Sequence, residues 1–159
     1  MSMTEALPYI DLLRDFAITI GVPEVDTFIA TGELRVDDLV LSFCPEGEDA
    51  RNAELWMFSA FTPPAHLSAA ELNQILLEAN WFWHGTGGAT FSLNPETDEV
   101  LFAARILRSG LSGEQLGSLC AQFVDTLLEW RAMLLTPARA KHFAELDFTD
   151  RNDTERPHA

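Results

Sequence analysis

Basic residues are scarce in this sequence. Ten Lys and Arg stand against 25 Asp and Glu, a formal net charge of -15. Nucleic-acid backbones and anionic bilayers are held by clustered Lys and Arg, so direct binding to either is not expected. Cysteine is nearly absent as well. Cys44 and Cys120 stand alone, without CxxC spacing, which excludes a disulfide framework and reads as two buried, reduced thiols. No apolar run approaches the 18 residues of a membrane-spanning helix. The stretch Met1-Ser2-Met3-Thr4-Glu5 lacks the basic and apolar regions of a secretory signal, so a cytoplasmic location is expected.

What remains is an ordinary globular composition. At 159 residues, 47% hydrophobic and 22% charged, the chain has the length to bury about 70% of its unfolded surface in one core. Residues 1–135 hold 20 acidic and 6 basic side chains, so the acidity belongs to the part expected to fold. Such a field keeps a protein soluble and also steers basic partners toward it. Residues 136–159 are polar and without sustained periodicity, and the expectation is a folded domain over 1–135 with a mobile tail over 136–159. Internal repeats and low-complexity segments are missing.

Apolar residues recur at helical spacing from Thr4 to Ile20 (Leu7, Ile10, Leu13, Phe16, Ala17, Ile20), with Gly21 as the stop. The helical period is then lost until Pro64. Short extended runs replace it at Glu33–Val36, Leu39–Phe43 and Glu54–Phe61. In the third run Leu55, Met57 and Phe61 point one way while Trp56, Phe58 and Ala60 point the other, so both faces are apolar and both call for a cover.

Two helix starts are written out in full. Ser68 and Glu71 form a capping box with Leu67 and Leu72 as the staple, opening a helix to about Asn80. Ser112 and Gln115 repeat the device with Leu111 and Leu116, opening a long amphipathic helix that Thr136-Pro137 ends. Between them Ala89–Leu93 and Val100–Leu107 read as a hairpin joined by Asn94–Glu99. The order is α-β-β-β-α-β-β-α, an α+β fold with an antiparallel sheet packed against helices.

Catalytic chemistry finds little support. The segment His84-Gly85-Thr86-Gly87-Gly88 has the glycines of an anion-binding loop, but it follows a helix, opens a strand and has no Lys nearby. It reads as a turn. His66, His84, His142 and His158 are scattered singly, without metal-ligand or nucleophile–base spacing. No metal site and no cofactor are expected. Asp37-Asp38 and Glu48-Asp49 sit in expected turns, where solvated charge is the default. A small hydrolase built on His84 and a nearby carboxylate is the remaining enzymatic alternative, to be tested by His84→Ala.

The surplus lies elsewhere. Trp81-Phe82-Trp83, with Trp56, Phe58 and Phe61, exceeds the needs of a small core, and three helices cover little more than one face of a five-stranded sheet. Exposed apolar patches of this kind mark interfaces, so the chain reads as a binding protein.

The ordered set of a helix end at Leu76–Asn80, the Gly85–Ala89 turn, the Phe91–Leu93 strand with Asn94-Pro95 beyond it, and the Phe123–Trp130 helix segment resembles the class I type III secretion chaperones, the Tir chaperone or CesT-like family. The resemblance covers about Leu7 to Leu135. It implies a cytoplasmic bacterial homodimer that binds the N-terminal segment of an effector, hydrolyses no nucleotide, and meets the export ATPase of the secretion apparatus as a further partner. A chaperone-like regulator that sequesters a secretion regulator is the alternative within the same fold. Carried onto this sequence, the resemblance implies client grooves at Leu7, Ile10, Leu13 and Phe16 and at Trp56, Phe58 and Phe61. It implies a dimer seam at Leu72, Ile75, Leu76, Trp81, Trp83 and Phe91. The paired tryptophans are bulky for that seam, and both the seam and the client patch remain open to them.

Overall fold

The computed structural model describes residues 8–46, 54–108 and 110–137. Leu7, the Glu48-Asp49 pair, His142, His158 and the expected tail beyond residue 137 lie outside the described residues.

Helix α1, Tyr9–Ile20, follows Pro8, which occupies the cap position where its missing N–H costs nothing. Gly21 at φ 75° ends it, its own N–H and that of Val22 closing onto Ile18 and Ala17 carbonyls. A second helix, α2 at Val25–Thr31, was not expected. Two turns are too short for a period to stand out. Phe28, its buried residue, meets the Phe16 and Phe43 rings at centroid distances of 5.9 and 5.6 Å, and Val25 and Ile29 pack beside it. Gly32 stops α2 at φ 68°, and a Cβ there would stand 2.6 Å from the Phe43 carbonyl oxygen. Only glycine fits that close crossing.

The strands are β1 Glu33–Val36, β2 Leu39–Glu46 and β3 Glu54–Phe61. Helix α3, Ala69–Asn80, then precedes β4 Thr90–Leu93, β5 Val100–Ile106 and helix α4 Gly113–Leu135. They form one antiparallel sheet in the order β1-β2-β3-β5-β4. Strand β2 runs three residues beyond the expected Phe43, through Pro45, because β3 supplies partners to the end: Cys44 with Trp56, Pro45 with Leu55, Glu46 with Glu54. On its other side β1 reaches no further than Ser42, so Pro45 has its missing N–H on a free edge.

Both capping boxes form. Ser68 Oγ accepts from Glu71 N while Glu71 accepts from Ser68 N, and Ser112 and Gln115 do the same. Helix α4 starts hard against α1: Gly113 N donates to Asp15 Oδ2 at 2.7 Å, and a Cβ on Gly113 would lie 2.4 Å from Phe16 N. All four helices bury their apolar stripes with one face of the sheet in a single cluster. An aromatic ladder ties sheet to helix, from Trp130 to Phe91 at 5.4 Å, to Phe102 at 4.5 Å, to Phe123 at 4.8 Å. The sheet's second face has no cover among the described residues.

Candidate functional site: an uncovered sheet face and an aromatic turn

The antiparallel register sorts every strand residue onto one face or the other. Leu41, Phe43, Leu55, Met57, Val100, Phe102 and Phe91 go inward, each 5% exposed or less. Outward go three cross-strand rows. Cys44, Trp56 and Arg105 form the first, Ser42, Phe58, Ala103 and Thr90 the second, and Ala60, Leu101 and Ser92 the third.

Small Ala103 makes the floor of a groove of about 490 Å³ lined by Cys44, Trp56, Phe58, Thr90, Ser92 and Leu101. One end of it is polar and fixed. Trp56 Nε1 donates to Glu46 Oε2 at 2.8 Å, and Arg105 pairs with Glu46 at 3.2 Å and with Glu54.

The client residues expected from the resemblance divide three ways. Trp56 and Phe58 share the open face and line the groove. Phe61 turns to the opposite, helix-covered face, where the Arg131 guanidinium lies 5.9 Å from its ring centroid. Leu13 and Phe16 are 0% and 1% exposed inside the core, leaving Ile10 at 40% as the α1 residue of that set on the surface. The helical period identifies an apolar stripe but not whether this chain's own sheet already covers it.

The seam residues divide as well. Leu72, Ile75, Leu76 and Phe91 are core, between 0% and 5% exposed, whereas Trp81 and Trp83 stand 57% and 54% exposed. Two further surface residues join them. Leu77 and Phe82 are more exposed still, and Leu77 sits four positions before Trp81, on the same side of the chain as it leaves α3.

The aromatic segment makes a single 3₁₀ turn in which Phe82 and Trp83 adopt φ of 52° and 54°. Bulky side chains rarely take that conformation, and each such residue costs on the order of 1–3 kcal/mol. The surrounding bonds hold it. Thr86 N reaches Trp83 O at 3.3 Å, Trp130 Nε1 grips Gly85 O at 2.7 Å, and Asn80 clasps Phe91 N and O at 2.7 and 2.9 Å. Trp83 Nε1 donates to Thr90 Oγ1 at 3.1 Å, which joins the turn to the rim of the open groove.

The cysteines differ from the expectation of two buried thiols. Cys120 is buried, 3.5 Å from Met57 Sδ, and loss of solvent pushes its thiol up to about 12. Cys44 is exposed, because strand alternation places it beside Trp56 on the face that none of the described residues covers. Of the turn carboxylates, Asp38 receives a two-armed bond from Arg131 at 3.2 and 2.7 Å, which lowers its pKa by hydrogen bonding first and charge second. His84 is exposed and faces the Phe82 ring at 6.5 Å. No group of three or more metal-ligating side chains occurs among the described residues.

The model of the Tir chaperone protein (CesT) family matches residues 11–131. The chain belongs to that family. The matched CesT span runs from α1 through Arg131 of α4, so it takes in the open face, the aromatic turn and the core between them. No curated protein matches the sequence closely.

Solved structures share the CesT-family fold. A chain of the ExsC–ExsE complex has a TM-score of 0.61 at 23% identity, over 79% of this chain and 92% of that one. A chain of the HopA1–SchA chaperone–effector complex has 0.56 at 20%, over 85% and 98%. A chain of the ExoT–SpcS complex from Pseudomonas aeruginosa has 0.54 at 18%, over 76% and 95%. The α+β antiparallel architecture expected from the sequence is therefore the architecture found, with α2 added. No helix among the described residues is long and apolar enough to cross a membrane.

Proposed function

We propose that this chain is a cytoplasmic type III secretion chaperone that binds the N-terminal segment of a cognate effector, keeping it soluble and competent for export. One observation carries the reading: in a member of a chaperone family, a whole sheet face with Trp56 and Phe58 at its centre has no cover from the chain's own described residues. Each large apolar side chain left in water forgoes about 1.5–3 kcal/mol of burial. A nonglobular segment carrying its own apolar residues recovers that energy on both sides. Mass action then suffices, since a partner that binds only the unfolded segment shifts it away from aggregation.

The same reading takes the working unit to be a homodimer of residues 1–135, with Leu77, Trp81, Phe82 and Trp83 as the exposed apolar surface nearest the proposed seam. The export ATPase of the apparatus is the further partner, and no catalysis by this chain is involved. The HopA1–SchA structure is of a chaperone–effector complex, and the proposal extends that arrangement to this chain.

Co-expression with the product of the adjacent gene, purification through a tag on this chain, and light scattering test it. The expected result is a soluble complex of two copies with one partner held by its N-terminal segment. A monomer that recovers no partner from neighbouring genes would contradict it.

A further inference from the structure

We propose that residues 138–146 of the chain itself occupy a pocket at the end of α4, folding back as a short amphipathic helix that seats Phe143 beside Phe61 and sets Arg139 and Lys141 against an acidic rim. The inference is separate from the effector-binding reading and does not depend on it.

The pocket comes first. Where α4 finishes, Leu39, Phe61, Pro64 and Leu135 line a cavity of about 300 Å³ together with Asp38 and Glu99. It shares no lining residue with the open groove at Trp56 and Phe58. Leu135 is 60% exposed there, so apolar surface is left at the mouth. The charge around it is of one sign. Arg131 is the basic lining residue, and it is engaged already, two-armed on Asp38 and stacked over Phe61. Asp37 and Asp98 adjoin Asp38 and Glu99 in sequence, and no ion pair among the described residues reaches Asp37, Asp98 or Glu99. An apolar side chain flanked by cations is the complement of such a site.

The chain carries that complement directly after α4. Residues 138–146 hold two bases, Arg139 and Lys141, and one acid, Glu145, whereas residues 147–159 hold four acids and two bases. The positive part of the segment is the part next to the pocket. Ala140, Phe143 and Ala144 stand at i, i+3 and i+4, with Leu146 three positions after Phe143. At about 100° per residue, Arg139 and Lys141 fall on either side of the face that holds Ala140 and Phe143.

The exit from α4 suits the same reading. Thr136 leaves the helix extended, at φ -101° and ψ 104°, with its N–H on the Met133 carbonyl and its hydroxyl on that of Ala132. The chain is thereby turned off the α4 axis one residue after Leu135. Thr followed by Pro is also the pair that opens a new helix, as cap and first residue. Phe143 stands six positions after Pro137, a distance of about 9 Å as a helix and at most about 20 Å extended. A helix this short does not stand alone in water, so it forms where the pocket takes its ring. The tether favours this segment over any free partner, since a short linker holds it at an effective concentration on the order of millimolar.

Lys141 is the only lysine in the sequence, which makes a zero-length carbodiimide cross-link from it specific. The full-length protein is treated at low ionic strength, run on a denaturing gel, and the linked peptides are read by mass spectrometry. The expected product runs as a single chain with Lys141 joined to Asp37, Asp98 or Glu99, and its yield falls at least about threefold as salt screens the rim.

Two variants sharpen the result. Phe143→Ser lies outside the folded core and should lower the yield at least about fivefold by removing the anchor. Glu99→Lys should lower it similarly, and the exchange Glu99→Lys with Lys141→Glu should restore a link between positions 99 and 141. Links spread over remote acids such as Glu24 and Glu114, or no link at all, overturn the inference. So does a covalent dimer on the gel, which would give the pocket to the segment of a second copy. An unchanged yield in Phe143→Ser overturns it too, because charge alone would then hold the segment.

Discussion

The two faces of the sheet are built from similar residues and meet opposite fates. Phe102 and Phe58 lie one strand apart on β5 and β3, yet Phe102 is wholly buried between Phe91 and Phe123 while Phe58 lines an open groove. Hydrophobicity alone does not separate them. What does is the count of covering elements: four helices reach one face, and the other is left for something the described chain does not supply. One face holds the fold together, and the other is held together by the fold.

That contrast is tested most severely on the covered side. Phe102→Ala should cost about 3–5 kcal/mol of stability in urea unfolding, as a buried aromatic in a packed ladder does. A loss below about 1 kcal/mol would mean the ladder is looser than its 4.5–4.8 Å ring spacings indicate. Gly113→Ala should cost about 1–3 kcal/mol by overpacking, since its Cβ would push into α1 at Phe16. Unchanged stability there would show that α1 and α4 shift apart at no cost.

Trp130→Phe keeps the ring stacked on Phe91 but leaves the Gly85 carbonyl without its indole donor, an expected loss of about 1–2 kcal/mol by thermal melting. The smallest expected effect is at the surface. Arg131 holds the Asp38 pKa below its ordinary 3.8, so the pair's contribution is full above that value and fades as pH falls through the lowered folded value. Wild type and Asp38→Asn should therefore differ in urea midpoint at neutral pH and converge in strong acid. Divergence on acidification would reverse the sign and refute the pairing.

The sequence made the local devices legible and the tertiary ones only in part. Both capping boxes, the Gly21 stop and the strand runs at Glu33–Val36 and Glu54–Phe61 depend on neighbours within a few residues, and each stands where the residues place it. Helix α2 escaped because seven residues carry too little period, although Val25, Phe28 and Ile29 keep helical spacing before Gly32.

Exposure was the harder question. Leu13, Phe16, Leu72, Ile75 and Leu76 belong to stripes as apolar as any interface, and nothing in their spacing says that this chain's own sheet buries them. Phe61 and Cys44 moved for a simpler reason. Strand alternation sends Phe61 inward with Met57 and Cys44 outward with Trp56, a count by twos that fixes the face once the register is known. Trp56 and Phe58 line a groove that no helix among the described residues covers, and Trp81 and Trp83 stand more than half exposed.

The central claim is that the open face binds the client and contributes little to the fold. The most direct test is Trp56→Glu with Phe58→Glu in one chain, co-expressed with the partner recovered by the unaltered protein. The account predicts a folded dimer of near-normal melting temperature that recovers no client, a loss of at least about a hundredfold in capture. A variant that unfolds, or one that captures its client undiminished, would contradict it.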